Sequence, residues 1–201
     1  DEFRIRLQGR GGHAAKPHET VDTTVMASQL IVALQSIVSR NVDPVKQAVL
    51  SVTSVETSSK AFNVIPDSVE LRGTVRTHAP EVRAQIEERL TAVARDIASA
   101  MGGRAEVVYD HGVPVTINAE APTEYAREVA VAVSGGCEPG EMVMGGEDFS
   151  FMLEERPGAM IRIGNGPSAG LHHPEYDFND AAIPFGTSFF AELIERRMPA
   201  A

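Results

Sequence analysis

Three short stretches of this chain gather residue types that can do chemistry. The first is Gly11-Gly12-His13-Ala14-Ala15-Lys16-Pro17-His18. Paired glycines let a backbone approach another group closely. A histidine beside them can donate a hydrogen bond to an oxygen that gains negative charge during a reaction. An ordinary loop histidine, with His18 helping to start a helix, explains the same spacing at least as well. The second stretch is Gly145-Gly146-Glu147-Asp148-Phe149-Ser150. Glycines ahead of a helix start favour anion binding by backbone N–H groups, whereas acids in a first turn equally well offset the helix dipole. The third is Leu171-His172-His173-Pro174-Glu175-Tyr176-Asp177-Phe178-Asn179-Asp180. Two histidines among carboxylates can supply a metal ligand and a neighbour that orients it; a surface loop with incidental histidines is the plainer alternative. None of the six histidines (His13, His18, His78, His111, His172, His173) forms a His-x-x-x-His pair or another local metal signature.

The elements that must carry these stretches are legible from periodicity. Phe3, Ile5 and Leu7 alternate with Glu2, Arg4, Arg6 and Gln8, the period of a half-buried strand. A helix is expected over about residues 20–39, with no charged residue between Asp22 and Arg40. A helix with one wet face normally carries charges there, so this one is expected to be covered by its own sheet and by a second subunit. Strands are expected at about 48–55, 69–76 and 105–109. A helix begins at Pro80-Glu81, carries the stripe Val82, Ile86, Leu90, Val93, Ile97 and Met101, and stops at Gly102-Gly103. The order β-α-β-β-α-β is the ferredoxin-like split pattern, closing near residue 112. Beyond it, helices are expected at 120–134, just after Gly146, and near Pro184, with short apolar strands at 142–144 and 159–163. Two such strands do not make a stable sheet alone, so residues 116–201 read as part of a larger α/β layer.

The net charge of −10 argues against nucleic acid or an anionic membrane as partner. The acidic excess lies almost wholly after residue 115. That is expected of a solvated acidic face or of a segment that normally sits beside a metal centre. No apolar run is long enough for a membrane helix. A single cysteine, Cys137, forms no internal disulfide, and a cytoplasmic setting is the expectation. The start at Asp1-Glu2-Phe3, without Met or a signal-peptide pattern, is expected of a segment of a longer chain.

Taken together, the motifs resemble the metal-dependent amidohydrolases of the hippurate hydrolase and auxin-conjugate hydrolase type, within the aminoacylase and glutamate carboxypeptidase group. The resemblance runs through residues 11–18, Leu34-Gln35-Ser36-Ile37-Val38-Ser39-Arg40-Asn41, Asn63-Val64-Ile65-Pro66-Asp67, Gly73-Thr74-Val75-Arg76, Gly146-Glu147-Asp148-Phe149 and Leu171-His172-x-Pro174, in order. It implies an α+β ferredoxin-like lid and dimerisation domain over 1–112, followed by a C-terminal α/β portion of the catalytic domain over 116–201.

The resemblance also implies two divalent metals (Mn, Zn, Co or Ni), a water that they activate, a glutamate general base and hydrolysis of N-acyl amino acids. His172 would be a metal ligand. His13 would stabilise the oxyanion, reaching into the second subunit's site, with Asn63 assisting. Arg76 would hold a substrate carboxylate, and Gly146 and Glu147 would line the pocket. The other ligands and the general base are expected outside these residues, so no complete metal site, and no activity, is expected of the chain alone. Cys137 lies in the wrong segment to serve as a ligand. Thr57-Ser58-Ser59-Lys60 stands where glycine is usual, and Asp22-Thr23-Thr24 where Asp-Pro is common. The alternative reading is a non-catalytic ferredoxin-like dimerisation or small-ligand-binding module.

Overall fold

A computed structural model describes residues 1–198 and divides into two compact units, Asp1–Val115 and Thr116–Ala201. In the first, β1 (Glu2–Gln8) alternates exposed and buried residues as its period requires. It lies at the centre of the sheet, antiparallel to β5 (Ser68–Thr77) on one side and to β6 (Arg104–Asp110) on the other. β3 (Ala48–Thr57) pairs with β5 and forms an edge, giving the order β3-β5-β1-β6. A bulge interrupts the register between Val52 and Ser54. Two further strands, β2 (Gly12–His13) and β4 (Val64–Ile65), form a separate two-stranded ladder.

Both helices of this unit contribute to one core. α1 (Thr23–Ser36) is capped by Asp22, whose carboxylate accepts from the N–H groups of Thr24 (2.8 Å) and Val25 (3.1 Å). The helix starts at the first residue of its uncharged stretch, after the expected start near residue 20, and it continues as one π turn over Ile37–Asn41. Met26, Ala27, Leu30 and Leu34 enter the core, while Val25 and Val32 stay exposed. α2 (Pro80–Ala100) buries Val82, Ile86, Leu90, Ala94 and Ala98. The expected continuation through Val93, Ile97 and Met101 is only partly buried. The alanines lie on the i, i+4 row, and their small size lets the end of the helix sit close to the sheet. Gly102, at φ +80, reverses the chain there and bonds back to Ser99 O at 3.0 Å.

The two ends of this unit are tied together. The Asp1 carboxylate is only 4% exposed and accepts from the Arg83 guanidinium, from Tyr109 Oη at 2.9 Å and from the Gly112 N–H at 2.9 Å. Burial, and after it the charge of Glu87, pushes the Tyr109 phenol up to about 12.

The second unit contains α3 (Glu120–Ser134), α4 (Phe149–Glu155) and α5 (Ile183–Arg197). Its buried apolar side chains are Ala126, Val129 and Phe189, where α3 meets α5. The strands expected at 142–144 and 159–163 are not formed: among the described residues this unit has no sheet. A strand needs a hydrogen-bonding neighbour. At 160 the Asn118 side chain takes that place, accepting from Met160 N and donating to Met160 O, both at 2.9 Å. Ile117, Met142, Phe151, Met152, Leu171 and Phe190 are exposed, far more apolar surface than so small a core accounts for. No helix of the structure is long and apolar enough to cross a membrane.

Two outcomes are expected. A phenol raised in the folded state stabilises it below its ordinary value of 10.0, and that contribution is lost as the pH climbs through about 12. Tyr109→Phe should therefore flatten the fall in urea-denaturation midpoints over this range, and an unchanged slope would assign the alkaline loss elsewhere. Limited proteolysis should cut first within residues 136–147, which carry no helix or strand. Early cuts inside β3 or β5 would contradict the uneven burial.

Candidate functional site

The sheet register places two loops side by side. Gln8 is opposite Ser68, so the chain leaving β1 and the chain approaching β5 lie at the same end of the sheet. Asp67 fastens them: its carbonyl accepts from Gly9 N (2.9 Å) and from the Gln8 side chain (3.2 Å), and its carboxylate accepts from Gly11 N (2.8 Å). Beyond that point Gly12 pairs with Ile65 and His13 with Val64, and Ala14 N donates to Asn63 O at 3.0 Å. A Cβ on Gly11 would lie 2.4 Å from Ile65 O, so the approach requires glycine. The structure thus brings the backbones of His13 and Asn63 together at one end of a narrow two-stranded ladder. Asp67 is a positioning contribution that reading the sequence missed; its signal was an acid directly after Pro66, where a turn leads into a strand.

The ring of His13 is oriented by its own loop. Nδ1 accepts from Ala15 N at 3.0 Å. A nitrogen that accepts from an amide carries no proton, so the neutral ring has its proton on Nε2. That N–H faces outward as a ready donor on an exposed side chain. His18 stands apart, exposed, with Nε2 3.8 Å from Glu19.

Arg76 lies elsewhere on the same unit, on the solvent face of β5 opposite Val49. Four arginines of β1 and β5 point to that face. Arg4 and Arg72 share Glu70, and Arg72 also meets Glu56 at 3.7 Å. Arg6 and Arg76 have no carboxylate within ion-pair distance among the described residues. Arg76 is thus a cation available to a carboxylate ligand.

Gly146, Glu147 and His172 belong to the second unit. Gly146 and Glu147 lie just ahead of α4, whose first turn is closed by Ser150: its amide and its Oγ both reach Glu147 O, at 3.2 and 2.6 Å. His172 is exposed in a loop braced by Asn165, which donates to Asp177 O at 2.7 Å and accepts from Asn179 N at 2.8 Å. His172 has φ 66, the one non-glycine residue in the left-handed region among those described. Such a backbone costs on the order of 1–2 kcal/mol for a residue with a Cβ, and it is concentrated at functional positions. Among the described residues no three His, Cys, Asp or Glu side chains gather as a metal site. The described residues therefore do not fit a two-metal centre by themselves.

Comparison with known proteins agrees with this arrangement of motifs. Residues 11–196 match the description "Peptidase family M20/M25/M40". The chain is 39% identical over 196 residues to an N-acetyl-L-cysteine deacetylase of Bacillus subtilis, covering 98% of this chain and 47% of that protein. It is 37% identical to the hippurate hydrolase of Campylobacter jejuni, covering 96% of this chain and 51% of that protein. Among solved structures, a dinuclear metal-binding M20 peptidase from Bacillus subtilis superposes with a TM-score of 0.78 at 30% identity, over 100% of this chain and 50% of that one. The chain spans about half the length of these relatives. The chain belongs to peptidase family M20/M25/M40.

Proposed function

We propose that these residues form part of a metal-dependent amidohydrolase that cleaves the amide bond of small N-acyl amino acids. The observation that carries this reading is the two-stranded ladder that brings the backbones of His13 and Asn63 side by side, with the His13 ring leaving Nε2 as its donor. Neutral donors from these two neighbouring residues suit an amide carbonyl oxygen that gains charge as water adds to its carbon. Arg76 binds the carboxylate of the amino-acid portion, and Gly146 and Glu147 line the pocket. His172 contributes a single metal ligand, its left-handed backbone being the strain such a role sustains. The remaining ligands and the general base come from residues outside these 201. The names of the relatives, an N-acetyl-L-cysteine deacetylase and a hippurate hydrolase, support the substrate class.

In this reading residues 1–112 are a ferredoxin-like lid and residues 116–201 are part of the catalytic layer. The sheet order β3-β5-β1-β6, with two helices sharing its core, supports the first assignment. The lid also joins two copies of the protein. Support comes from the uncharged outer side of α1, where Val25 and Val32 are exposed, and from the ten-residue edge strand β3, which contains neither proline nor lysine to block pairing.

The 201-residue chain alone is expected to hydrolyse neither N-acetyl nor N-benzoyl amino acids with manganese or zinc. Protein that also carries the complementary half should do so, and His172→Ala should abolish it. Hydrolysis by the chain alone, or by the His172 variant, would overturn the assignment. In the active protein, Arg76→Ala should raise KM with little change in kcat, by the equivalent of about 2–5 kcal/mol where bound substrate buries the charge pair; an unchanged KM removes Arg76 from the site.

A further inference from the structure

Thr23 touches both arms of the two-stranded ladder that carries His13 and leads from Asn63. It is fully buried, and with Ser150 it makes up the buried polar residues among those described. Its hydroxyl donates to Pro66 O at 2.8 Å. Pro66 follows β4 directly, so this bond fixes the Asn63 arm to the first turn of α1. Its methyl carbon lies 2.8 Å from where a Cβ on Gly9 would stand, so the same side chain packs against the start of the His13 arm. Asp67 joins the two arms to each other. Arg10 and Val21 exchange backbone bonds of 3.2 and 2.8 Å that bring the His13 arm to the start of α1, and Thr23 adds the buried side-chain link, which reaches the Asn63 arm as well.

The helix itself does not need a hydroxyl at this position. The cap is made by Asp22, and the first helical residue is a place where proline is favoured because its N–H has no helical partner. A proline or valine would keep the helix and leave Pro66 O without its donor. The Thr23 hydroxyl therefore serves the ladder and not the helix.

We propose that Thr23 is a positioning residue for the amide-hydrolysis site, setting the reach of His13 and Asn63 through Pro66 and Gly9. The proposal rests on the functional reading above, and one measurement is independent of it. In the 201-residue chain, Thr23→Val keeps the shape and removes the donor, while Thr23→Ser keeps the donor. Amide exchange at Gly11 and Ala14, whose bonds hold the two arms together, should quicken by about tenfold or more in Thr23→Val and stay near native in Thr23→Ser. Exchange in β1 and β5 should not change. Native rates at Gly11 and Ala14, or equal quickening throughout the sheet, would overturn the tether.

In protein that carries the complementary half, Thr23→Val should lower kcat by about 10- to 100-fold with KM nearly constant, because small misplacements of a donor are costly in the transition state. Thr23→Ser should restore most of it. In a background that carries both His13→Ala and Asn63→Ala the same change should cost nothing further; an equal loss there would show that Thr23 does not act through these two residues. Absence of hydrolysis in the unsubstituted protein would bring down the amidohydrolase reading instead, with the exchange result standing on its own.

Discussion

The structure of the first unit depends on the double pairing of its central strand. β1 is bonded along its whole length to β5 and to β6, and its inward residues Phe3, Ile5 and Leu7 are almost wholly buried. A slip of one residue would turn all three outward and Arg4 and Arg6 inward, so the register has a single low-energy setting. That setting puts Gln8 opposite Ser68 and hence determines where two loops, far apart in sequence, begin and end. The ladder that carries His13 and leads from Asn63 is a consequence of sheet registry before it is a matter of any contact between the loops.

Much of this was legible from residue order. β1, β5 and β6 follow the alternation of apolar and polar residues, β3 breaks it at the bulge between Val52 and Ser54, and α2 begins at Pro80 and ends before Gly102-Gly103 as those residues dictate. The ladder of β2 and β4 was not, because strands of two residues have no period to detect. Its only trace is a pair of glycines and an Ile-Pro step some fifty positions later. Residues 142–144 and 159–163 have the composition of buried strands, yet a strand is a property of a pair, and composition does not reveal whether a partner lies within reach. The candidate site behaves the same way. His13, Asn63, Arg76 and His172 drew attention through resemblance, whereas Thr23 and Asp67 look like ordinary helix-start and turn residues until the fold brings Pro66 and Gly11 to them.

The two units are built on different terms. The first buries a continuous core from four strands and two helices, and its charge is nearly balanced. The second buries three apolar side chains, leaves many exposed and carries most of the acidic excess. A protein of about 200 residues ordinarily spreads its burial more evenly. The helices of the second unit keep large apolar side chains such as Phe151, Met152 and Phe190 at the surface.

The bond from Ala15 N to His13 Nδ1 limits what this histidine can be. An imidazole that passes protons from one side to the other must use both nitrogens in turn. Here one of them faces an amide hydrogen, and protonating it would set two hydrogens against each other. The ring can polarise a bond through Nε2 while Nδ1 stays with its own loop. In the proposed amide hydrolysis, a proton passing from water to the departing nitrogen would travel by another route.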